Sequence, residues 1–296
     1  MRFWSRRPLL CLLALALCLQ TPFGFADSGE GRSTLWSLKG KQNTVYLLGS
    51  VHFLNPSERL PAAMLAAYHD AESLVMELDM DDIDQAEVMR AAQDLGYLPH
   101  GQTLASALGP QSYAIVEQKS REIGVDPQML ERMQPWFAAL TLVQVQLMKL
   151  GLDPNSGVEQ VLTKRAVADK KPISGLETVR EQFEIFAGLG IEQQRDFLLY
   201  SVEDVERTAQ EVERMIAAWR SGDTTNLDRL LADGMEKYPG VYRPLTVERN
   251  RRWIAQIERL LDDKDDHLVI VGALHLVGDE SVIDLLEKKG HAIKQH

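Results

Sequence analysis

Leu268-Val269-Ile270-Val271-Gly272-Ala273-Leu274-His275 is an apolar run of strand length that ends in Gly-x-x-His, and Val45-Tyr46-Leu47-Leu48-Gly49-Ser50-Val51-His52 repeats the pattern near the other end of the 296-residue chain. Continuous apolar strands belong inside a helix-covered sheet, and open α/β sheets bind their ligands outside the carboxyl ends of the strands. Each run therefore delivers an imidazole to the edge where such folds keep their chemistry. Gly49 and Gly272 let the backbone turn there or approach another group closely.

Working outward, two further apolar segments end in an acid: Ser73 to Leu78 carries Glu77, and Lys171 to Glu177 ends in Glu177. Trp36–Lys39 and Thr44–Gly49, separated by Gly40-Lys41-Gln42-Asn43, predict an opening β-hairpin. The rest is helical in pattern: Pro61–Glu72, Asp81–Leu95, Leu104–Ile123, Pro127–Met133, Pro135–Leu150, Gly157–Lys170, Val247–Leu261 and Ser281–Lys289. Leu198, Val202, Val205, Ala209, Val212, Ile216 and Trp219 recur at 4-3 spacing, which predicts one long helix with a narrow seam packed on a neighbour of the same chain. The expected fold class is α/β, a central, largely parallel or mixed sheet flanked by helices, with mostly helical insertions at about 81–170 and 179–262.

The first 26 residues read as a secretory leader. Arg2, Arg6 and Arg7 form a basic start, Pro8–Leu19 an apolar core, and Gly24-Phe25-Ala26 a small-x-small cleavage site. The apolar run of about a dozen residues is shorter than the roughly 20 of a membrane span. Leu17 before Cys18 departs from the small residue of a lipoprotein signal. The expectation is a domain over 27–296, periplasmic or secreted, with no stable span once the leader is removed. Loss of the three leader arginines takes the formal charge from −11 to −14, which argues against nucleic acid and anionic lipid as partners. Both cysteines, Cys11 and Cys18, lie in the leader, so a metal site in the domain must use His, Asp and Glu.

If the four strands run parallel in one sheet, His52, Glu77, Glu177 and His275 converge at one edge. Two neutral imidazoles and a carboxylate suit a divalent cation with an open position for water, and a second carboxylate can act as base or orient a ligand histidine. Taken singly, each has an ordinary reading: a histidine at a strand end is commonly a satisfied polar residue, and Glu177 before Thr178 can belong to a helix start. Arg249 and Asn250, on the helix before the last Gly-x-x-His strand, either hold a substrate carboxylate or carbonyl at the site edge or belong to a solvated face with Glu248, Arg251 and Arg252. The run Asp79 to Asp84 fails as a calcium loop, with Ile83, Asp84 and Arg90 where ligand, glycine and glutamate belong, and reads as an acidic helix start. His69, His100, His291 and His296 are set aside, the last two at an end expected to be mobile. A Gly-x-Ser-x-Gly elbow, a His-Glu-x-x-His helix and a P-loop are all missing from the sequence.

The segments GSVHFL (49–54), the strand with Glu77, KPISGLET (171–178), TVERNRRW (246–253) and VGALHLVGD (271–279), in this order, resemble the TraB/PrgY/GumN family, to which the Tiki metalloproteases of animals are related. The resemblance spans nearly all of the chain after the leader, and the two Gly-x-x-His motifs are its most specific part. It implies a metal-dependent hydrolase, a peptidase in Tiki-like members, using manganese or cobalt, with His52, Glu77 and His275 as the metal-site residues; zinc suits the same donors. Bacterial members are linked to peptide-pheromone shutdown and to polysaccharide gene clusters, so the expected partner is a peptide or small-molecule substrate of no further identity. Two rivals stand beside this reading: an esterase-like hydrolase without metal, in which histidine activates water, and a non-catalytic protein that sequesters a peptide or haem.

Overall fold

The computed structural model describes residues 32–202, 205–235 and 238–296. The leader reading, with both cysteines, lies outside them. Six strands form one sheet: β1 (Leu35–Lys39), β2 (Thr44–Ser50), β3 (Ser73–Met76), β4 (Ile173–Gly175), β5 (His267–Gly272) and β6 (Ile293–Gln295), in the order β4-β3-β5-β2-β1-β6. β4, β3, β5 and β2 are parallel, and β1 pairs antiparallel with β2 and with β6. The sheet is therefore mixed with a parallel heart, as the apolar strands require. Val45, Leu47 and Leu48 of β2 and Leu268, Val269 and Ile270 of β5 are fully buried, because central parallel strands have helices on both faces. β5 lies between β2 and β3 although it follows them by some two hundred residues.

Among the described residues there are fourteen α-helices: α1 (Ala62–Asp70), α2 (Gln85–Leu95), α3 (Leu104–Leu108), α4 (Pro110–Ile123), α5 (Pro127–Leu130), α6 (Pro135–Lys149), α7 (Val158–Asp169), α8 (Val179–Ala187), α9 (Ile191–Ser201), α10 (Val205–Ser221), α11 (Thr224–Met235), α12 (Pro239–Tyr242), α13 (Glu248–Leu260) and α14 (Val282–Lys288). Two cores result. One surrounds the sheet and takes in Leu162 of α7, Trp219 of α10 and Trp253 and Ile257 of α13. The other is a helical lobe built from α3 to α6 and α9, around Leu104, Val116, Leu130, Leu142 and Leu198. Trp136 of α6 stacks on Phe186 of α8 at 5.4 Å, with Phe183 edge-on at 5.5 Å, joining the lobe to the helix after β4. Among the described residues no helix is long and apolar enough to cross a membrane.

Three readings of the sequence are corrected. The 4-3 repeat does not make one helix: α9 ends at Ser201, and α10 begins at Val205. Leu198 and Val202 of the repeat are buried in the lobe and Trp219 in the sheet core, so the same spacing serves two different cores. The chain end is not loose, because β6 pairs with β1, His296 Nε2 lies 2.7 Å from Ser37 Oγ and His291 lies 3.0 Å from Glu258. The strand expected over 171–177 is shorter, Ile173–Gly175, although beyond its end the Leu176 and Glu177 N–H groups still donate to the Met76 and Glu77 carbonyls at 2.8 and 2.9 Å. The acidic run does start a helix, Asp84 capping α2 by accepting from the Ala86 N–H at 2.8 Å.

Candidate active site

The parallel strands β2, β3, β4 and β5 end at one edge, and the loops just beyond them carry His52, Glu77, Glu177 and His275. After β5 the backbone turns at Gly272 into a short 3-10 turn, Ala273–His275, which swings the His275 ring inward to 8 % exposure. The two motif glycines have different jobs. A Cβ on Gly49 would stand 3.0 Å from Ala273 Cα and 3.3 Å from Thr34 Cβ, so its missing side chain lets the turn after β5 close against β2. The Gly49 carbonyl also accepts the Trp219 indole N–H at 2.7 Å. A Cβ on Gly272 would instead project into the site, 3.5 Å from Glu77 Oε1, 3.5 Å from His275 Cδ2 and 3.9 Å from His52 Nε2. The two imidazoles and the carboxylate thus border one small space that Gly272 leaves clear.

Each ring is fixed by its other nitrogen. His52 Nδ1 lies 2.7 Å from Glu159 Oε1, and the Ser50 hydroxyl donates to the same oxygen. His275 Nδ1 lies 2.6 Å from Asn250 Oδ1. The Asn250 amide nitrogen donates to the Glu280 carbonyl at 2.9 Å, which turns the amide oxygen toward the ring and makes Nδ1 the donor. His275 Nε2 is then a lone pair, and it faces Arg249 Nη1 at 3.1 Å. His52 Nε2 and the Cδ2 edge of His275 border the space at Gly272, and each ring has its Nδ1 held by an acceptor, the arrangement that orients metal-binding histidines.

The two histidines differ in charge. Glu159 beside His52 raises its pKa to about 9 against the opposing effect of partial desolvation, with the Glu159 hydrogen bond and the Glu77 charge adding to the rise. Burial pushes His275 down to about 4; Glu77 opposes this, while Arg249 and His52 add to it. Burial also works to raise Glu77, but positive charge on His275 in the acid range, on Arg249 and on His52, with the Gly272 N–H, holds it at about 2.

Arg249 is the internal hub. Its Nη2 donates to Glu77 at 2.6 Å and to Glu177 at 2.9 Å, its Nε to Glu177 at 3.0 Å and its Nη1 to the Leu245 carbonyl at 3.3 Å. The guanidinium stacks 4.7 Å over the Trp253 ring, and a π-helical turn, Arg243–Val247, supplies the Leu245 carbonyl just before α13. Arg249 is therefore neither solvated nor reaching out to the site edge; its donors are spent on the site's own carboxylates. Arg252 adds a bond to Glu177 at 3.1 Å, and Gln182 bridges Glu77 and Glu177 at 3.3 and 3.4 Å.

The sequence reading missed Glu159, Gln182 and Arg252. Glu159 left a legible signal: an acid in the first turn of α7 on the same buried stripe as Leu162, Thr163 and Ala166. Gly157 makes room for it, since a Cβ there would meet the His52 carbonyl at 2.1 Å.

A divalent cation is a fair match to this donor set in element type, in ring tautomer and in the space that a Gly272 Cβ would fill. Among the described residues no three His, Cys, Asp or Glu side chains are already arranged to hold one. The reason is visible in Arg249, a resident cation that engages Glu77 and His275. A cavity of about 240 Å³ opens beside His52 and Glu77.

The sequence model of the TraB/PrgY/gumN family matches residues 34–295, from the start of the opening hairpin to the last strand. The uncharacterized protein YbaP of Shigella flexneri is 24 % identical over 254 residues, covering 84 % of this chain and 90 % of its own. YbaP of Escherichia coli (strain K12) is 24 % identical over 245 residues, 81 % and 87 % of the two chains. An uncharacterized protein of Treponema pallidum is 24 % identical over 300 residues, 95 % of this chain and 89 % of its own. No solved structure matches the chain.

Proposed function

The chain belongs to the TraB/PrgY/gumN family, and on that premise we propose that it is an exported, metal-dependent hydrolase of peptide bonds, working in the periplasm or outside the cell after loss of residues 1–26. The observation that carries the reading is the pair of imidazoles whose Nδ1 atoms are held by Glu159 and Asn250 and whose rings, His52 through Nε2 and His275 through its Cδ2 edge, border one space with Glu77. His52, Glu77 and His275 would hold a divalent metal, manganese, cobalt or zinc, which when bound supplies a Lewis acid and a water of lowered pKa.

The chain's own residues do the rest. Glu159 and Asn250 aim the two rings. Arg249 helps to keep Glu77 ionised, Gln182 helps to point it at the crevice, and Glu177, bonded to both, anchors Arg249. His52, positively charged without metal, must give up its ring proton before Nε2 can act as a ligand, so metal uptake releases a proton. Net hydrolysis adds water across the amide: the hydroxyl goes to the carbonyl carbon, the C–N bond breaks, and the amine leaves with a proton.

The test is metal content and peptide cleavage of the purified protein, with and without His52→Ala. Metal bound in about equal proportion to the protein and cleavage lost in the variant support the proposal; peptide cleavage undiminished after exhaustive chelation overturns the metal.

One observation favours the metal-free alternative. The environments push His52 and His275 apart, to about 9 and about 4, as in sites that keep one acid and one base at neutral pH. In that version neutral His275 would take the proton of water and cationic His52 would supply one to the leaving group. Cleavage that persists in chelator and is lost in both His52→Ala and His275→Ala would select it. Peptide binding without turnover under every condition would select sequestration.

A further inference from the structure

We propose that the cavity beside His52 is a specificity pocket that takes one apolar side chain of the substrate, of the size of leucine, methionine or phenylalanine, from a residue flanking the bond that is cleaved. The inference rests on the hydrolase reading of the site and adds to it the class of peptide preferred.

The cavity shares His52 and Glu77 with the crevice, so whatever fills it sits next to the reacting centre. Its remaining walls are mostly apolar: Phe53, Leu78, Met80 and Pro154, each half-buried, over the fully buried Met76. At about 240 Å³ it falls below the roughly 300–1,000 Å³ of pockets that enclose whole drug-sized ligands and leaves room for one bulky side chain. Thioether walls adapt in shape, which favours tolerance among apolar side chains over selection of one.

The charged groups at its edge are already committed. Glu77 is bonded to Arg249 and the Gly272 N–H, and Glu159 to His52 and Ser50. A substrate ammonium would therefore find both carboxylates engaged and only the neutral Gln160 amide left to accept, and a substrate carboxylate would face two acids; burying either uncompensated is costly. The side chain of Gln160, which also lines the cavity, makes no hydrogen bond among the described residues, which leaves its amide free for substrate backbone.

The test uses the full chain with divalent metal and a set of quenched fluorescent peptides that differ at one residue beside the cleaved bond: Leu, Met, Phe, Gly, Asp and Lys. Leu, Met and Phe peptides are expected to exceed the Gly, Asp and Lys peptides in kcat/KM by tenfold or more, the order of discrimination that hydrophobic pockets achieve. Met80→Lys is expected to collapse the Leu-to-Gly ratio. Phe53→Ala, read by the same ratio, serves if Met80→Lys does not fold. Equal rates across the set, or ratios unchanged in the variants, overturn the pocket. If no peptide is cleaved, the hydrolase reading falls, and binding of the same peptides by fluorescence anisotropy decides the pocket separately. Tighter binding of the Leu peptide that Met80→Lys abolishes keeps the pocket, and equal binding of the Leu and Gly peptides overturns it.

Discussion

The Nδ1 of His52 and a carboxylate oxygen of Glu159 lie 2.7 Å apart, so a residue in the first turn of a helix decides how the first Gly-x-x-His histidine faces the crevice. Ser50, at the end of the strand that carries the motif, donates to the same carboxylate and completes the hold.

Glu159→Gln keeps the shape and removes the charge. The expected result is a roughly 10–100-fold loss of metal affinity, the range seen when an orienting partner of a ligand histidine is altered, together with a fall in the pKa of His52 toward its ordinary value. Calorimetric titration with Mn²⁺ and NMR titration of the ring check the two effects. Unchanged affinity and an unchanged ring pKa would show that Glu159 does not position His52.

The two motif glycines should respond to alanine with opposite signs. At Gly272, φ −51° and ψ 136° are open to alanine, and relief of glycine's chain entropy should stabilise the fold by about 0.4–1 kcal/mol while the methyl fills the site and stops hydrolysis. Gly49→Ala forces a methyl against Ala273 and Thr34 in the core and should cost about 1–3 kcal/mol. Denaturant unfolding of both variants, with an activity assay on Gly272→Ala, decides the matter. A destabilised Gly272→Ala would contradict the picture.

Arg249→Met strips Glu77 of its closest partner and leaves the buried Glu177 with Arg252 and Gln182. Removing one partner of a buried ion pair typically costs about 3–5 kcal/mol, and Arg249→Lys should recover only part of this, since an ammonium cannot reproduce the fork across two carboxylates and His275. Saturating divalent metal should restore part of the Arg249→Met loss by supplying the missing positive charge to Glu77. A melting temperature indifferent to metal would argue against a cation taking over from Arg249.

In chelator-treated protein, stability should peak near pH 6.5. His275, held at about 4 against its ordinary 6.5, stays neutral in the fold while the unfolded chain takes up a proton, so stability falls as pH drops from 6.5 toward 4. Glu77, at about 2 against 4.5, gives its contribution in full above 4.5 and loses it between 4.5 and 2. His52 runs the other way, its contribution present in full below 6.5 and lost as pH rises through about 9. Its side chain is 62 % exposed, so screening keeps this alkaline limb the shallower one. Urea unfolding at intervals from pH 3 to 10 gives the profile, and a flat line between pH 4 and 6.5 would refute the account of His275.

Much of this was legible because strands and glycines write themselves plainly. The runs 45–48 and 268–271 are apolar on both faces, which only a central parallel strand explains, and they carried the hairpin, the sheet edge and the four site residues at strand ends with them. Helix partners were harder to see. Arg249 sits among other charges in ERNRR, and nothing in the spacing says that Arg251 turns to Glu280 and Arg252 reaches Glu177 with its side chain half-exposed while Arg249 itself turns in over Trp253. Glu159 was visible only as an acid out of place on an apolar stripe. The 4-3 repeat across Leu198 to Trp219 misled because periodicity reports which face is buried and is silent on whether one core or two receives it. Tertiary pairing alone reveals β6, whose three residues have no apolar run of their own and owe their strand to the exposed edge of β1.

The insertion of β5 between β2 and β3 also fixes a moment in the life of the molecule. A ribosome has delivered His52, Glu77, Glu159 and Glu177 long before it reaches Gly272, and until then β2 and β3 have no strand to join them. Pairing partners so distant in sequence close a long loop and come together late. Whatever the crevice does, it cannot do it in a growing or truncated chain, so the protein is silent for most of its own synthesis and becomes competent only when its last strands arrive.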